Sequence, residues 1–342
     1  KYYIYASTVK DYNPAPEDSV GESTSNAFTA TGLTNNTEYH FRVAAVNNQG
    51  YRGNFSEQLS LIPMYKGPEW WVDTENGSDN NDGSQSSPFQ NIQHAITKVA
   101  SGDTLILLPG AHGESDLHLG QAGEGDPNAI TELHFRGSTG DYRDVGISAN
   151  WQSRLFTIYK GVFTFKHITF TEGRASSGQN QPGGGAFMLW NDADVEFVNC
   201  HFWKNESEHG GDNQGFNGGG AIAGYEIKRL VFKDCVFRNN RLINGINGSA
   251  VYLTVPNQSD GSTKFKPVFE RCHFVNNRTE IGNLPEQQWG GGALVLAGPI
   301  SPRIEHSIFD STSFDHNWDG TSSVVSMGGG AIWISAVSYT HL

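Results

Sequence analysis

The sequence predicts an all-β chain in two parts: a piece of β-sandwich, then a solenoid of stacked coils whose first turn is capped by a short helix. Three observations carry this. The chain is rich in turn formers and rings, with 41 glycines among 342 residues and 12% aromatics, while charged residues reach only 17%. Residues 1–63 alternate apolar and polar positions between turn signals. From Phe165 onward one short pattern returns in five rows.

The first segment, 1–63, ends in "TGLTNNTEYHFRVAAVNNQGYRGNFSEQLSLIP". This stretch resembles the last strands of a fibronectin type III domain. Leu33 and Tyr39 stand where that family places its E–F corner, and Phe41, Val43 and Ala45 are expected to alternate inward on the next strand. "AVNNQGYRGNFSE" is similar to the family's turn into its last strand. The first two strands are absent, so a partial module with unpaired edges is expected. The resemblance implies a spacer or binding unit. "MYKGPEW", residues 64–70, reads as the linker, and 71–336 as the solenoid.

Ile92, Ala95, Ile96 and Val99 follow the i, i+3, i+4, i+7 spacing of an amphipathic helix. Such a helix would cover the first coil, which otherwise exposes core and strand edges. "GDTLILLPG" then reads as the first coil strand.

The rows align in four columns. The first holds Phe165, Phe197, Phe232, Phe269 and Ile304; the second Ile168, Cys200, Cys235, Cys272 and Ser307. The third holds Phe170, Phe202, Phe237, Phe274 and Phe309; the fourth Gly173, Asn205, Asn240, Asn277 and Thr312. Offsets within a row are constant while gaps between rows vary, as in a solenoid whose insertions become loops. Coils stacked about 4.8 Å apart bring like residues together, making ladders of Phe, Cys and Asn. Asparagine suits this because it tolerates left-handed turns and its amide pairs with the coils on either side.

Triple glycines recur at 183–185, 218–220, 290–292 and 328–330, with "NGSA" (247–250) as a weaker version. Glycine allows positive φ and close backbone approach, which a sharp corner feeding a strand requires. The pattern resembles right-handed parallel β-helix proteins. GGGA followed by Phe-x-x-Asn is similar to repeats of polymorphic outer-membrane proteins and related bacterial surface solenoids. "EWWVDTENGSDNNDGSQSSPFQNIQHAITKVASGDTLILLPGAHGE" (69–114) resembles the opening of secreted β-helix proteins of the pectate-lyase-like group. These resemblances imply a fold more than a chemistry, and a secreted or cell-surface location.

Both ends read as cut. Lys1 opens directly on a strand pattern, without initiator Met or leader, and further coils are expected beyond 336. The tail "VSYTHL" (337–342) resembles one reading frame of a transposon end used in preparing sequencing libraries, and is expected not to be native, the alternative being an ordinary coil end.

The net charge of −13 argues against a nucleic-acid partner, and no apolar run is long enough for a membrane-spanning helix. The charge is uneven: Pro68–Ile130 carries a net −9, whereas Lys228–Arg278 carries +6. Three cysteines cannot build a disulfide framework, and no Cys-x-x-Cys suggests a metal. A buried reduced ladder is expected, with a stray disulfide as the alternative.

Candidate binding residues emerge from the columns. Arg229 aligns with Lys266, and Arg241 with Arg278, so stacking would place each pair on adjacent coils as basic stripes, fit either for an anionic polysaccharide or for a plain solvated surface. Trp190, Tyr225, Tyr252 and Trp333 fall on the outward positions after the glycines, where exposed rings would stack on sugars unless loops cover them. Asp79, Asn81 and Asp82 form an oxygen cluster fit either for Ca2+ or for a polar turn. His209 and Asp212 mark a second, non-specific polar loop.

Lyase chemistry needs a base for the proton α to a uronate carboxylate and a cation to stabilise the enolate. The paired-acid motifs of polygalacturonases (Asn-Thr-Asp, Asp-Asp, Gly-His-Gly) and the Arg-x-Pro-x-x-Arg element of pectate lyases do not occur here. The expectation is a protein that binds anionic polysaccharide, with lyase activity favoured over glycoside hydrolysis if there is turnover. The alternative is a non-catalytic adhesin or structural surface passenger.

Overall fold

A computed structural model describes residues 1–120, 130–176, 183–208, 218–245, 247–255, 265–281, 289–298, 300–310, 313–316, 327–329 and 331–335. The chain divides into two compact units, 1–66 and 67–342.

In the first unit, strands Tyr2–Ser7, Ser19–Ser23, Tyr39–Val46, Arg52–Phe55 and Leu59–Leu61 form one antiparallel sheet. The expected corner is present: the Thr34 N–H donates to the Tyr39 hydroxyl at 3.1 Å. The inward side of Tyr39–Val46 is not the one expected. His40, Ala44 and Val46 are buried, Phe41 and Val43 only half-buried, and Ala45 exposed. No second sheet is present in this unit among the described residues, so the Phe41 and Val43 side lines an open apolar groove of about 840 Å3 with Ile4, Phe28, Leu33 and Leu61.

The second unit is a parallel β-solenoid. Each coil visits up to four main sheets in turn, and near the C-terminal end Trp289–Gly291 and Met327–Gly329 pair as a short two-stranded fifth. Sheet I is eight-stranded and runs from Glu69–Val72 through Thr104–Leu107, Ala193–Val198 and Arg229–Lys233 to Arg303–Glu305. Sheet II is seven-stranded and includes Val145–Ser148, Thr169–Thr171, His201–Trp203 and Val236–Arg238. Sheet III has five short strands, among them Glu206–Glu208, Arg241–Ile243 and Arg278–Ile281. Sheet IV has seven, including Phe156–Ile158, Phe187–Trp190, Ile222–Tyr225, Val251–Thr254, Leu294–Ala297 and Ile332–Ser335.

The inward columns stack as expected. Phe165, Phe197, Phe232 and Phe269 are in register on sheet I with ring centroids 5.1–5.2 Å apart. Phe202, Phe237, Phe274 and Phe309 stack on sheet II at 4.5–4.6 Å. Offset-parallel stacking at this spacing adds to the burial of each ring. Cys200, Cys235 and Cys272 are buried free thiols. Each thiol donates to the backbone of the preceding coil, as from Cys200 to the Phe165 carbonyl at 3.3 Å. Ser307 continues the column, its Oγ donating to the Phe269 carbonyl at 3.3 Å. Asn205, Asn240 and Asn277 form the buried ladder beside them; Thr312 lies outside the described residues.

The left-handed corners are not at the ladder asparagines. They fall one residue earlier, at Lys204, Asn239 and Asn276, with φ of 56°, 55° and 51°. A second set, Asn199, Asp234, Arg271 and His306, precedes the Cys column. The ladder asparagine is thereby aimed inward by the corner before it. At the triple glycines 183–185 and 218–220 the middle residue turns left-handed, as at Gly219 with φ 69°. A Cβ there would lie 1.8 Å from the Ile222 carbonyl oxygen, so only glycine fits.

The capping helix spans only Ile92–Ile96, with Ile92, Ala95 and Ile96 buried and Val99 half-buried beyond its end. Its His94 ring packs edge-on to Phe89, which stacks on Trp70 at 5.9 Å. Trp70 belongs to Glu69–Val72, which pairs with Thr104–Leu107. The residues expected to end the linker therefore begin the solenoid, and "TLIL" is its second strand on sheet I rather than its first.

Candidate functional site

The basic columns form as spaced, but with carboxylates in them. Arg241 and Arg278 are directly in register on sheet III. Arg241 lies 3.4 Å from Glu206 and 3.8 Å from Glu280, and Arg278 3.5 Å from Glu280. One coil earlier, Arg174 pairs with Glu206 at 3.6 Å and Glu208 at 2.8 Å. Three guanidinium groups thus meet three carboxylates in a ladder of alternating charge. On sheet I, Arg229 pairs with Asp194 at 2.9 Å and Glu196 at 2.6 Å, and Lys233 with Glu196 at 2.9 Å. Burial opposes ionisation of Glu196, yet hydrogen bonds from Arg229 and Lys233 hold its carboxyl below the usual range. Exposed pairs of this kind contribute about 0–1 kcal/mol each. Their larger effect is to cancel the field an anionic chain would feel.

Lys266 stands one coil beyond Arg229, because Phe232 and Phe269 are in register. It is exposed and, like Lys228, in no ion pair among the described residues. Both lysines line a groove of about 1070 Å3 at the corner where sheet IV passes into sheet I, together with Asn191, Asp192, Glu226 and Arg229. Val231 and Val268 floor it. Asn191 and Glu226 are themselves left-handed corners, with φ of 41° and 52°, which opens the chain outward there. The groove crosses three successive coils, about 10 Å from first to third.

The aromatic positions separate into two columns. Trp190 pairs with Tyr225, and the same register continues to Thr254, not to Tyr252. Tyr252 instead follows Ala223 and leads to Val295 and Trp333. The expected row of four rings is therefore absent. Nor are the rings fully exposed: Trp190 is 9% and Tyr252 6% accessible. The Tyr252 ring lies against Gly218, where a Cβ would approach it to 2.7 Å. A residue that the glycine-based alignment passes over completes the first column. Tyr159 comes directly after Ile158, the register partner of Leu189, and packs against the cluster of Met188, Trp190 and Ala223. Tyr159 and Tyr225 are half-buried on either side of Trp190, packed on Met188 and Ala223. His118 stacks on Tyr159 at 6.0 Å. The next residues after Trp190 and Tyr225 are Asn191 and Glu226, so the aromatic column opens into the charged groove.

The oxygen cluster at 79–82 is engaged in turns. Asp79 accepts from the N–H groups of Gln90 and Asn91 at 3.0 Å and from the Asn91 amide at 2.6 Å. Asn81 donates to the Pro88 carbonyl, and Asp82 accepts from the N–H and hydroxyl of Ser84. Their oxygens point to separate partners, and no group of three His, Cys, Asp or Glu side chains fit for a metal occurs among the described residues. His209 and Asp212 lie outside the described residues.

Among the described residues no helix is long and apolar enough to cross a membrane. No curated protein matches the chain in sequence. Two solved structures resemble it weakly. A rhamnogalacturonan lyase shares 14% identity, with 67% of this chain and 72% of that one covered, at a TM-score of 0.25. A pectin methylesterase from Aspergillus niger shares 13%, with 80% and 87% covered, at 0.34. Likenesses at that level say nothing of chemistry. In the first unit the sequence itself is diagnostic: residues 1–62 match the fibronectin type III domain, and the second unit is a parallel β-solenoid.

Proposed function

We propose that the solenoid binds a polysaccharide laid across its coils at the corner between sheets IV and I, as a secreted or cell-surface protein. One observation carries this: the in-register column Tyr159–Trp190–Tyr225 ends directly in a three-coil groove bearing Lys228 and Lys266. Partly exposed rings offer apolar faces to sugars, and lysines with no carboxylate partner among the described residues favour an anionic chain. Arg241 and Arg278, already balanced by Glu206 and Glu280, take little part. That same balance supports the second reading, a structural surface passenger with charge-paired outer faces.

The test is affinity electrophoresis on polygalacturonate against a neutral glucan. Retention on the polyanion should fall with salt, since exposed charges are screened within about 8 Å at physiological ionic strength. Lys228→Gln with Lys266→Gln, or Tyr159→Ala with Tyr225→Ala, should weaken it about tenfold, while Arg241→Gln with Arg278→Gln should not. Equal retention on the neutral gel, or indifference to both groove variants, leaves the passenger reading. An ultraviolet-absorbing unsaturated product, assayed with and without Ca2+, would add lyase turnover to binding.

A further inference from the structure

The outer face of sheet II carries a cluster that the corner groove does not use. His201 and Trp203 flank the inward Phe202 and so face outward together. Their rings lie 6.2 Å apart and nearly parallel, at 17°. Tyr142, from the turn that enters sheet II two coils earlier, packs edge-on to His201 at 5.3 Å. The Tyr142 carbonyl is fixed there by the Thr169 hydroxyl at 2.8 Å. Burial, with the Arg238 charge adding to it, pushes the His201 imidazole down to about 4, so at neutral pH it is an uncharged ring. Tyr142 and His201 therefore brace Trp203, whose ring remains half-exposed.

Two cations attend that ring. The Lys204 ammonium sits over it, 4.4 Å from the centroid. Arg238 occupies the position of Trp203 on the next coil. The other described surface arginines of the solenoid are each in an ion pair with a carboxylate. Arg238 and Lys204 are in none among the described residues. The nearest acid in the corner column, Glu172 one coil before Lys204, accepts instead from the Ser148 hydroxyl at 2.9 Å. Among the described residues, a chain that pairs its surface guanidinium groups so consistently leaves Arg238 without a carboxylate, beside a half-exposed tryptophan.

We propose that this face is a second glycan subsite, where a uronate ring stacks on Trp203 and its carboxylate is held by Arg238 and Lys204. The ammonium over the indole is held weakly, as exposed cation–π contacts are. An incoming sugar can take its place on the ring while Lys204, on a flexible stem, swings to the carboxylate. Arg238 offers the planar fork that matches a carboxylate. The site stands on a different sheet from the corner groove and does not rest on that groove's function.

The test uses the whole chain carrying Tyr159→Ala, Tyr225→Ala, Lys228→Gln and Lys266→Gln together, which removes the groove's rings and both its lysines, titrated with trigalacturonate and with a neutral trisaccharide at concentrations too low for what remains of the groove, read by calorimetry and tryptophan fluorescence. Residual uronate binding is expected in that background, with a fluorescence change. Trp203→Ala should abolish both signals, and Trp203→Phe, which keeps a stacking ring, should retain binding within about threefold. Lys204→Gln with Arg238→Gln should weaken it about tenfold and remove most of its salt dependence. The proposal is overturned by residual binding that survives Trp203→Ala, by equal binding of the neutral sugar, or by no residual binding in that background. In the last case binding by the parent chain would still stand for the groove alone.

Discussion

Oδ1 of Asn240 accepts two hydrogen bonds from Asn205, one from its backbone N–H at 3.0 Å and one from its side-chain amide at 3.1 Å. Asn277 does the same for Asn240, at 3.0 and 2.9 Å. Each amide also donates to the carbonyl of a phenylalanine one coil earlier, as from Asn240 to Phe202 at 2.9 Å. All three side chains are fully buried. Truncating Asn240 to Ala strands two donors on Asn205 and an acceptor on Phe202 away from water. A loss of about 3 kcal/mol is expected, since each buried polar group left unpaired costs about 1–3 kcal/mol. Urea unfolding of Asn240→Ala checks this, and a midpoint equal to that of the parent would mean the ladder is not closed to solvent.

The thiols should be silent in the native protein. Burial pushes the Cys235 thiol far up, and hydrogen bonding to Cys235, then burial, does the same for Cys272. Without thiolate there is no nucleophile. A thiol reagent should titrate three groups in denaturant and react only slowly before unfolding. Rapid labelling of the folded chain would contradict a closed column. Cys272→Ser should cost no more than about 1 kcal/mol, because Ser307 already shows how a hydroxyl fits that position.

Ile92 is fully buried and Ile96 nearly so under the capping helix. A carboxylate at either site has no partner there, and Ile92→Asp or Ile96→Asp should each lower stability by about 3 kcal/mol or release the cap. Thermal unfolding of both variants is the measurement. Unchanged transitions would mean that the helix rests on the surface.

Acid should destabilise the solenoid early. His201 falls from its ordinary 6.5 to about 4 on folding, through burial and then the Arg238 charge. The unfolded chain takes up that proton first, so the contribution of His201 is complete above about pH 6.5 and is lost as pH falls through about 4. His112 is shifted in the same direction, again by burial. Each adds at most about 1.4 kcal/mol per pH unit to the slope. His201→Val, the residue that Val236 supplies one coil later, should flatten the fall in melting temperature between pH 6.5 and 4. An identical slope in the variant would show that His201 is not what titrates.

The repeat is readable in the chain because its inward columns are chemically uniform: Phe over Phe, Cys over Cys, Asn over Asn. The corners are not, because left-handed positions are filled by residues as unlike as Lys204, Asp234 and Arg271. Here the stacked coils impose the conformation that no single side chain announces. The expected aromatic row fails by register alone. Trp190 and Tyr225 come six residues after the middle glycine of their corner, and Tyr252 only four, a difference visible in the chain itself. Tyr159 escapes because its coil begins with Ser153–Arg154 in place of glycines, and alignment on glycine skips it. The basic stripes are half right. Extending the Arg241 column one coil back reaches Glu206, but the diagonal contact of Arg229 with Glu196 exists only once the strands are laid side by side.

The paired left-handed corners have a consequence for how such a chain can change over time. Asn199 and Asp234 turn the same way at the same point of successive coils, and Val198 and Lys233 lead into them in register. A recombination joining Val198 to Asp234 would remove one whole coil and leave every ladder intact, with the next coil sliding down into the vacated place. Loss of a single residue from a strand such as Arg229–Lys233 would instead put its inward and outward side chains, Phe232 and Arg229 among them, on the wrong faces. The length of this solenoid is therefore free to drift by whole turns and guarded against anything smaller, so its relatives should differ in coil number long before they differ in cross-section.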